Sequence, residues 1–166
     1  MAVYSEIYKN EEILNILDNK YDRVLLIGCG ACMNESLAHL YDLPLSIRGD
    51  RDDILPIPII NELKRIAVML EENGYRTEWK YIPEGSNSLC IIDTTKELYH
   101  ISFGSEPEVV LLLSCPAGRE GIKKTFEEIP VINITRQKGV LFYEKKDDGL
   151  GKREKGISKV IYFNKG

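Results

Sequence analysis

Cysteine is scarce in this chain: four residues in 166, with two histidines, one tryptophan and seven prolines. The two imidazoles, His39 and His100, are expected to be structural or solvent-facing rather than ligands or general bases. No Ser-His-Asp set, no P-loop and no ordered acid pair stands out, so unaided catalysis has little support. No apolar run approaches the roughly 18 residues a membrane-spanning helix needs. Met1 to Glu6 has neither the basic start nor the apolar core of a signal peptide, which leads us to expect a cytoplasmic protein. There, structural disulfides are rare, and cysteines more often bind metal or do redox work. A net charge of −4 disfavours nucleic acid as the main partner. Repeats and low-complexity tracts are absent.

What is present reads as one α/β domain, since the length allows one full core and is short for two. Asn10 is placed to cap a helix whose first turn carries Glu11 and Glu12 and whose apolar face is Ile13, Leu14 and Leu17. Residues 23–28 and 108–114 are apolar on both faces, as strands of a covered parallel sheet are. A short helix is expected over 33–41 and a surface excursion over 42–58, which includes Asp50, Asp52 and Asp53. Ile59, Leu63, Ile66 and Leu70 mark a helix face that Gly74 ends. A strand over 75–82, a turn over 83–87, and a helix from a Ser88 cap to Tyr99 follow. Pro116 at N1 predicts a helix to about Glu128, and residues 130–135 another strand. Strands alternating with helices imply a Rossmann-like, mainly parallel sheet flanked by helices. Gly139–Lys146 and Ile157–Asn164 are β-rich and predict a C-terminal β-hairpin. We therefore read 1–138 as an α/β metal-binding domain and 139–166 as a hairpin extension of it.

The cysteines carry the chemistry. Cys29 and Cys32 lie in Gly28-Cys29-Gly30-Ala31-Cys32, directly behind the strand Val24–Ile27, and Cys115 follows the strand Val109–Leu113. In an open parallel sheet the carboxyl ends of strands are where ligands bind. A Cys-x-x-Cys turn supplies two soft ligands at once, which suits zinc or an iron–sulfur cluster. Gly28 and Gly30 are expected to allow close backbone approach and to offer N–H groups to sulfur. Cys115, and Cys90 in its expected helix, would sit at helix N-termini, which favour thiolates. Any one of the four is also compatible with plain packing, because free cysteine is a common core residue.

Residues 23–32, Arg-Val-Leu-Leu-Ile-Gly-Cys-Gly-Ala-Cys, resemble the opening of the small MetV-type subunit that accompanies certain methylenetetrahydrofolate reductases. In that family a strand ends in Gly-Cys-Gly-x-Cys, a later cysteine begins a helix, and a further strand ends in Cys-x-Ala-Gly. Cys90 stands at the third position, and Cys115-Pro116-Ala117-Gly118 matches the last. Pro130 to Thr135 resembles the family's next segment, and the likeness spans roughly residues 10–140. It implies that Cys29, Cys32, Cys90 and Cys115 ligate one metal centre, a 4Fe–4S cluster or else zinc, with Gly28, Gly30, Ala117 and Gly118 lining it. It also implies a non-catalytic accessory or electron-transfer role beside a flavoprotein or one-carbon reductase. Two departures limit the carry-over. The family's second cysteine-rich segment has no counterpart after Cys115, and Met33 to about Pro58 is an insertion.

Other readings compete. A thioredoxin-like dithiol would use Cys29 and Cys32, with Ile129-Pro130 as a cis-proline, but would leave Cys90 and Cys115 unexplained. Zinc would make the protein a scaffold. A dinucleotide or S-adenosylmethionine site is disfavoured because Met33 stands where the fingerprint wants glycine. Arg119, Lys123 and Lys124 could offset a cluster's charge or simply form an exposed helix face. Lys152 to Lys155 reads as a solvated loop.

Overall fold

Two apolar runs, 24–28 and 109–113, become the inner strands of a four-stranded parallel sheet, because residues apolar on both faces are stable only when both faces are covered. A computed structural model of the chain describes residues 2–43, 57–82, 90, 106–144 and 157–163. The elements along it are β1 (Ala2–Ile7), α1 (Asn10–Leu17), β2 (Arg23–Cys29), α2 (Cys32–Leu40), α3 (Ile57–Glu72), β3 (Arg76–Ile82), β4 (Val109–Leu113), α4 (Pro116–Thr125), β5 (Val131–Asn133), β6 (Thr135–Glu144) and β7 (Ile157–Tyr162).

The parallel sheet has the order β3-β2-β4-β5. Register runs from Arg23 opposite Arg76 to Cys29 opposite Ile82, and from Val24 opposite Val109 to Gly28 opposite Leu113. The chain goes outward from β2 to β3, then returns to lay β4 on the other side of β2. The carboxyl ends of β2 and β4 therefore flank the topological switch point, where open α/β sheets form a crevice. The expected Rossmann-like α/β architecture is the one observed.

The main core joins β2 and β4 to Ile13 and Leu17 of α1, Met33 and Leu37 of α2, and the Ile59, Leu63, Ile66, Leu70 face of α3. Gly28 lets α3 approach, since a Cβ there would lie 2.8 Å from Leu63 Cδ1 and 2.9 Å from Ile59 Cγ1. Asn34 Oδ1 accepts the Ile59 N–H at 3.1 Å, tying α2 to the start of α3. Gly74 takes φ +91°, the left-handed backbone its place after α3 requires.

Several details depart from expectation. The N-cap of α1 is Lys9, whose N–H donates to the Glu12 carboxylate at 2.9 Å; the side chain of Asn10 instead accepts from Arg65. Helix α4 stops at Thr125, with Phe126 turned in and buried. No cis peptide occurs among the described residues, so Ile129–Pro130 is trans; the Pro130 carbonyl accepts the Val110 N–H as the chain enters β5. The single strand expected over 130–135 is divided at Ile134. Its N–H goes to Leu112 of the parallel sheet, its carbonyl accepts from Tyr8, and Thr135 starts β6 in a second sheet.

That second sheet is antiparallel, in the order β1-β6-β7. The expected hairpin is its β6–β7 pair, with Gly139 opposite Tyr162 and Glu144 opposite Ile157. The sequence reading had no place for β1, which runs along β6 from Ala2 opposite Leu141 to Ile7 opposite Thr135. Most of the 42–58 excursion, the 83–87 turn, most of the Ser88–Tyr99 helix, His100 and Lys152–Lys155 lie outside the described residues.

Candidate functional site

Three of the four cysteines belong to the carboxyl edge of the parallel sheet, at its switch point. Cys29 is the last residue of β2, Cys32 the first of α2, and Cys115 the N-cap of α4 with Pro116 at N1. Cys29 is 3% exposed and belongs to the main core; Cys115 is buried, and Cys32 is half-buried. Cys32 packs against the small core of the second sheet, formed by Ala2, Tyr4 and Leu141.

The thiols of Cys32 and Cys115 act on each other's ionisation, and in opposite directions. Cys115 is brought down to about 6, first because it accepts from the Cys32 thiol and then because the amides of Gly118, Ala117 and Cys115 itself point at its sulfur, against the opposing effect of burial. Cys32 is pushed up, chiefly by the same hydrogen bond and by burial, with the charges of Cys115 and Cys29 adding to the effect. The Val3 amide donates to Cys32 and works in the opposite sense. Of the two, Cys115 is the one favoured as thiolate.

Side-chain hydrogen bonds fix the main chain at both cysteines. On the Cys115 side, the Ser114 carbonyl accepts from Thr135 Oγ1 at 2.8 Å and from Asn133 Nδ2 at 3.1 Å, and Ser114 Oγ donates to the Cys115 carbonyl at 2.9 Å. On the Cys32 side, Ser36 Oγ accepts the Ser5 N–H at 3.1 Å. Its proton is shared between the carbonyls of Cys32 at 2.9 Å and Val3 at 3.2 Å. The edge of β1 is therefore fastened to the turn that carries Cys32.

Sequence reasoning missed Ser36 and Val3 because it saw no strand over 2–7. Alternation of buried Ala2 and Tyr4 with half-buried Val3 was the available signal. Asn133 and Thr135 were seen only as part of a strand.

The remaining expected residues divide. The amides of Ala117 and Gly118 lower the ionisation of Cys115. The Gly30 amide instead donates to the Ile82 carbonyl at 2.7 Å, and the space left by Gly28 is filled by α3, so neither glycine plays the sulfur-directed part expected of it. Met33 is core, 1% exposed. His39 makes an edge-to-face contact with Tyr4, the structural role expected of it. Lys123 pairs with Glu120 at 3.5 Å, and Arg119 and Lys124 are exposed. Cys90 is exposed, and its flanking residues lie outside the described set. Among the described residues, no group of three or more His, Cys, Asp or Glu side chains is arranged to hold a metal ion.

Compared with protein-family models, curated proteins and solved structures, the chain matches none.

Proposed function

We propose that this protein carries one cysteine-ligated metal centre and serves as an accessory or electron-transfer subunit rather than as an enzyme in its own right. The observation that carries the reading is the convergence of Cys29, Cys32 and Cys115, from two different βα connections, on the carboxyl edge of the parallel sheet at the switch point. Cys29 is close enough to act electrostatically on Cys32.

The donor chemistry is that of a soft-metal site, although no three of the described groups stand in a ligating arrangement. The residues offer sulfur only, Cys115 is favoured as thiolate, and backbone amides lower the ionisation of Cys115 and act in the same sense on Cys32, as second-shell donors do in thiolate-ligated centres. Cys29, Cys32 and Cys115 would hold the group, with Cys90 as fourth ligand. A 4Fe–4S cluster would supply one-electron transfer; zinc would make the site structural. The partner implied by the MetV-type resemblance is a flavoprotein or one-carbon reductase.

Metal and sulfide analysis of anaerobically purified protein tests the reading. A brown protein with stoichiometric iron and sulfide, or a colourless one with stoichiometric zinc, supports it. Loss of the metal is then expected in Cys32→Ser and Cys115→Ser variants. Protein that stays metal-free after expression and refolding with both iron and zinc supplied overturns it.

A further inference from the structure

Strand β3 is an open edge of the parallel sheet, and its charges alternate in sign. We propose that this edge is a homodimer interface, at which β3 of a second copy adds antiparallel about a two-fold axis through Trp79 and makes the two parallel sheets continuous. The inference goes beyond the metal reading and does not rest on it.

The main-chain groups along the edge can be assigned. The Arg76 N–H donates to the Asp22 carbonyl and the Ile82 carbonyl accepts from Gly30, so Arg76, Glu78, Lys80 and Ile82 turn their main chain toward β2. Alternation directs the N–H and C=O groups of Thr77, Trp79 and Tyr81 away from the sheet, and among the described residues no strand takes them. Edges of this kind are commonly guarded by proline, a bulge or lysine. β3 contains no proline or glycine and keeps unbroken register with β2 from end to end. Its charged residues, Arg76, Glu78 and Lys80, fall at alternate positions and so share one face.

That pattern selects the occupant. With Trp79 opposite its own equivalent, Glu78 of each copy stands opposite Lys80 of the other, and Thr77 opposite Tyr81. Every outward main-chain group then finds a partner, and the axis repeats the Glu–Lys cross-strand pair. Sliding one copy to the next register that keeps side chains on their faces sets like charges together. In one direction Glu78 meets Glu78 and Arg76 meets Lys80; in the other Lys80 meets Lys80. Glu78 is exposed and Lys80 half-buried, and neither is engaged in an ion pair, whereas Arg76 is held by Asp22. Lys64, whose ammonium lies 5.8 Å from the Trp79 ring, is exposed on a flexible stem and can turn to solvent as the two rings meet. The other edges fit less well. Strand β7 has Lys159 as its only charge, so no ion pair fixes a self-pairing register there. Strand β1 is fastened to α2 through Ser36, and β5 is only 3 residues long. Because the pairing is antiparallel, the carboxyl edges of the two sheets face opposite ways, and each copy keeps its own cysteines.

Sedimentation velocity of the full chain over a concentration series tests the proposal, with a phosphine reductant to keep exposed Cys90 from cross-linking copies. The wild type is expected to dimerise reversibly. Glu78→Lys and Lys80→Glu each set like charges opposite one another on both sides of the axis, and each is expected to raise the dissociation constant at least about tenfold. The double exchange Glu78→Lys/Lys80→Glu restores the pair with its signs reversed, and is expected to return the constant to within about threefold of the wild type. Urea midpoints confirm that all variants fold. A chain that stays monomeric into the millimolar range overturns the proposal. So does a dimer indifferent to the single reversals or not recovered by the double exchange. A dimer broken by Ile161→Asp, which alters a 55%-exposed position of β7 and leaves β3 intact, overturns it as well. Metal content is measured on the same samples, so the dimer and the metal centre can fail separately.

Discussion

The two sheets of this protein are built on opposite rules. In the parallel sheet β4 is fully buried along its whole length and β2 nearly so, so neither strand has a solvent face. In the antiparallel sheet one face is covered, by Ala2, Tyr4, Leu141 and Val160, while Phe142 and Ile161 are exposed and Lys159 joins them. One sheet is a core element and the other is a cover laid over α2. The cysteines fall between the two, with Cys29 in the main core and Cys32 against the small one. The difference teaches how this edge is made: the parallel sheet sets where Cys29 and Cys115 stand, and the antiparallel one packs against Cys32.

The largest expected effect tests the difference in burial. Leu111 sits mid-strand in β4 at 0% exposure, opposite Leu26 and Ile132. Leu111→Ala is expected to cost about 4 to 5 kcal/mol, the upper part of the range for leucine truncation in a rigid core. Leu141→Ala, also at 0% exposure but in the small core, is expected to cost about 2 kcal/mol, because a lightly packed cluster can collapse around the loss. Urea denaturation of both variants measures this. Equal losses would mean that the second sheet is as integral to folding as the first.

Next comes a pair of glycines. A Cβ at Gly139 would lie 2.3 Å from the Ile161 carbonyl oxygen, whereas at Gly28 it meets side-chain atoms of Leu63 and Ile59 rather than backbone. Backbone cannot rotate away, so Gly139→Ala is expected to push β7 off β6 at a cost of about 2 to 3 kcal/mol. Hydrogen exchange should then show protection lost in β7 and retained in β2 and β4. Protection lost throughout would instead make β7 part of the main cooperative unit.

The same contrast explains how much was legible. Val24–Ile27 and Val109–Leu113 announce themselves, because two-sided burial demands unbroken apolar residues, and the cysteines behind them inherit the position. The turn chemistry around Gly74 and Pro116 was equally local and equally readable. Strand β1 was not, since Ala-Val-Tyr-Ser-Glu-Ile acquires a buried face only when β6 pairs with it, more than 120 residues later. With β1 unseen, the Val3 amide and the Ser36 clamp could not be inferred. Spacing likewise favoured Cys29 with Cys32, whereas the place of Cys115 on the same sheet edge depends on β4 lying beside β2, a matter of topology.

A smaller effect probes the join between the sheets. Ser36→Ala removes the hydroxyl that accepts from Ser5 and donates toward Val3 and Cys32, leaving a buried N–H unpaired. The expected loss is about 1 to 2 kcal/mol. Its distinguishing sign is faster alkylation of Cys32 with Cys115 little changed, because β1 then lifts from one sulfur only. Equal acceleration at both would mean that α2 itself, rather than the β1 edge, had loosened.

The smallest effect on stability is the most direct reading of the site. Cys115 is favoured as thiolate by the Cys32 S–H and by the α4 amides, so in the metal-free protein its ultraviolet thiolate absorbance should appear with a midpoint near pH 6. An unfolded cysteine ionises near about pH 8.5. A folded-state value below the unfolded one means that the thiolate's contribution to stability is complete above that unfolded value. It declines as pH falls and is lost as Cys115 protonates through about 6. Cys32→Ala removes one donor and leaves three amides, so the midpoint should rise while staying below that of a free thiol. Cys29→Ala removes a charge that acts on Cys32 and should move the midpoint less than Cys32→Ala does. If the two variants shift it equally, all three sulfurs share one proton and the site is a triad; if Cys32→Ala moves it further, the Cys32–Cys115 pair is the functional unit that joins the two sheets.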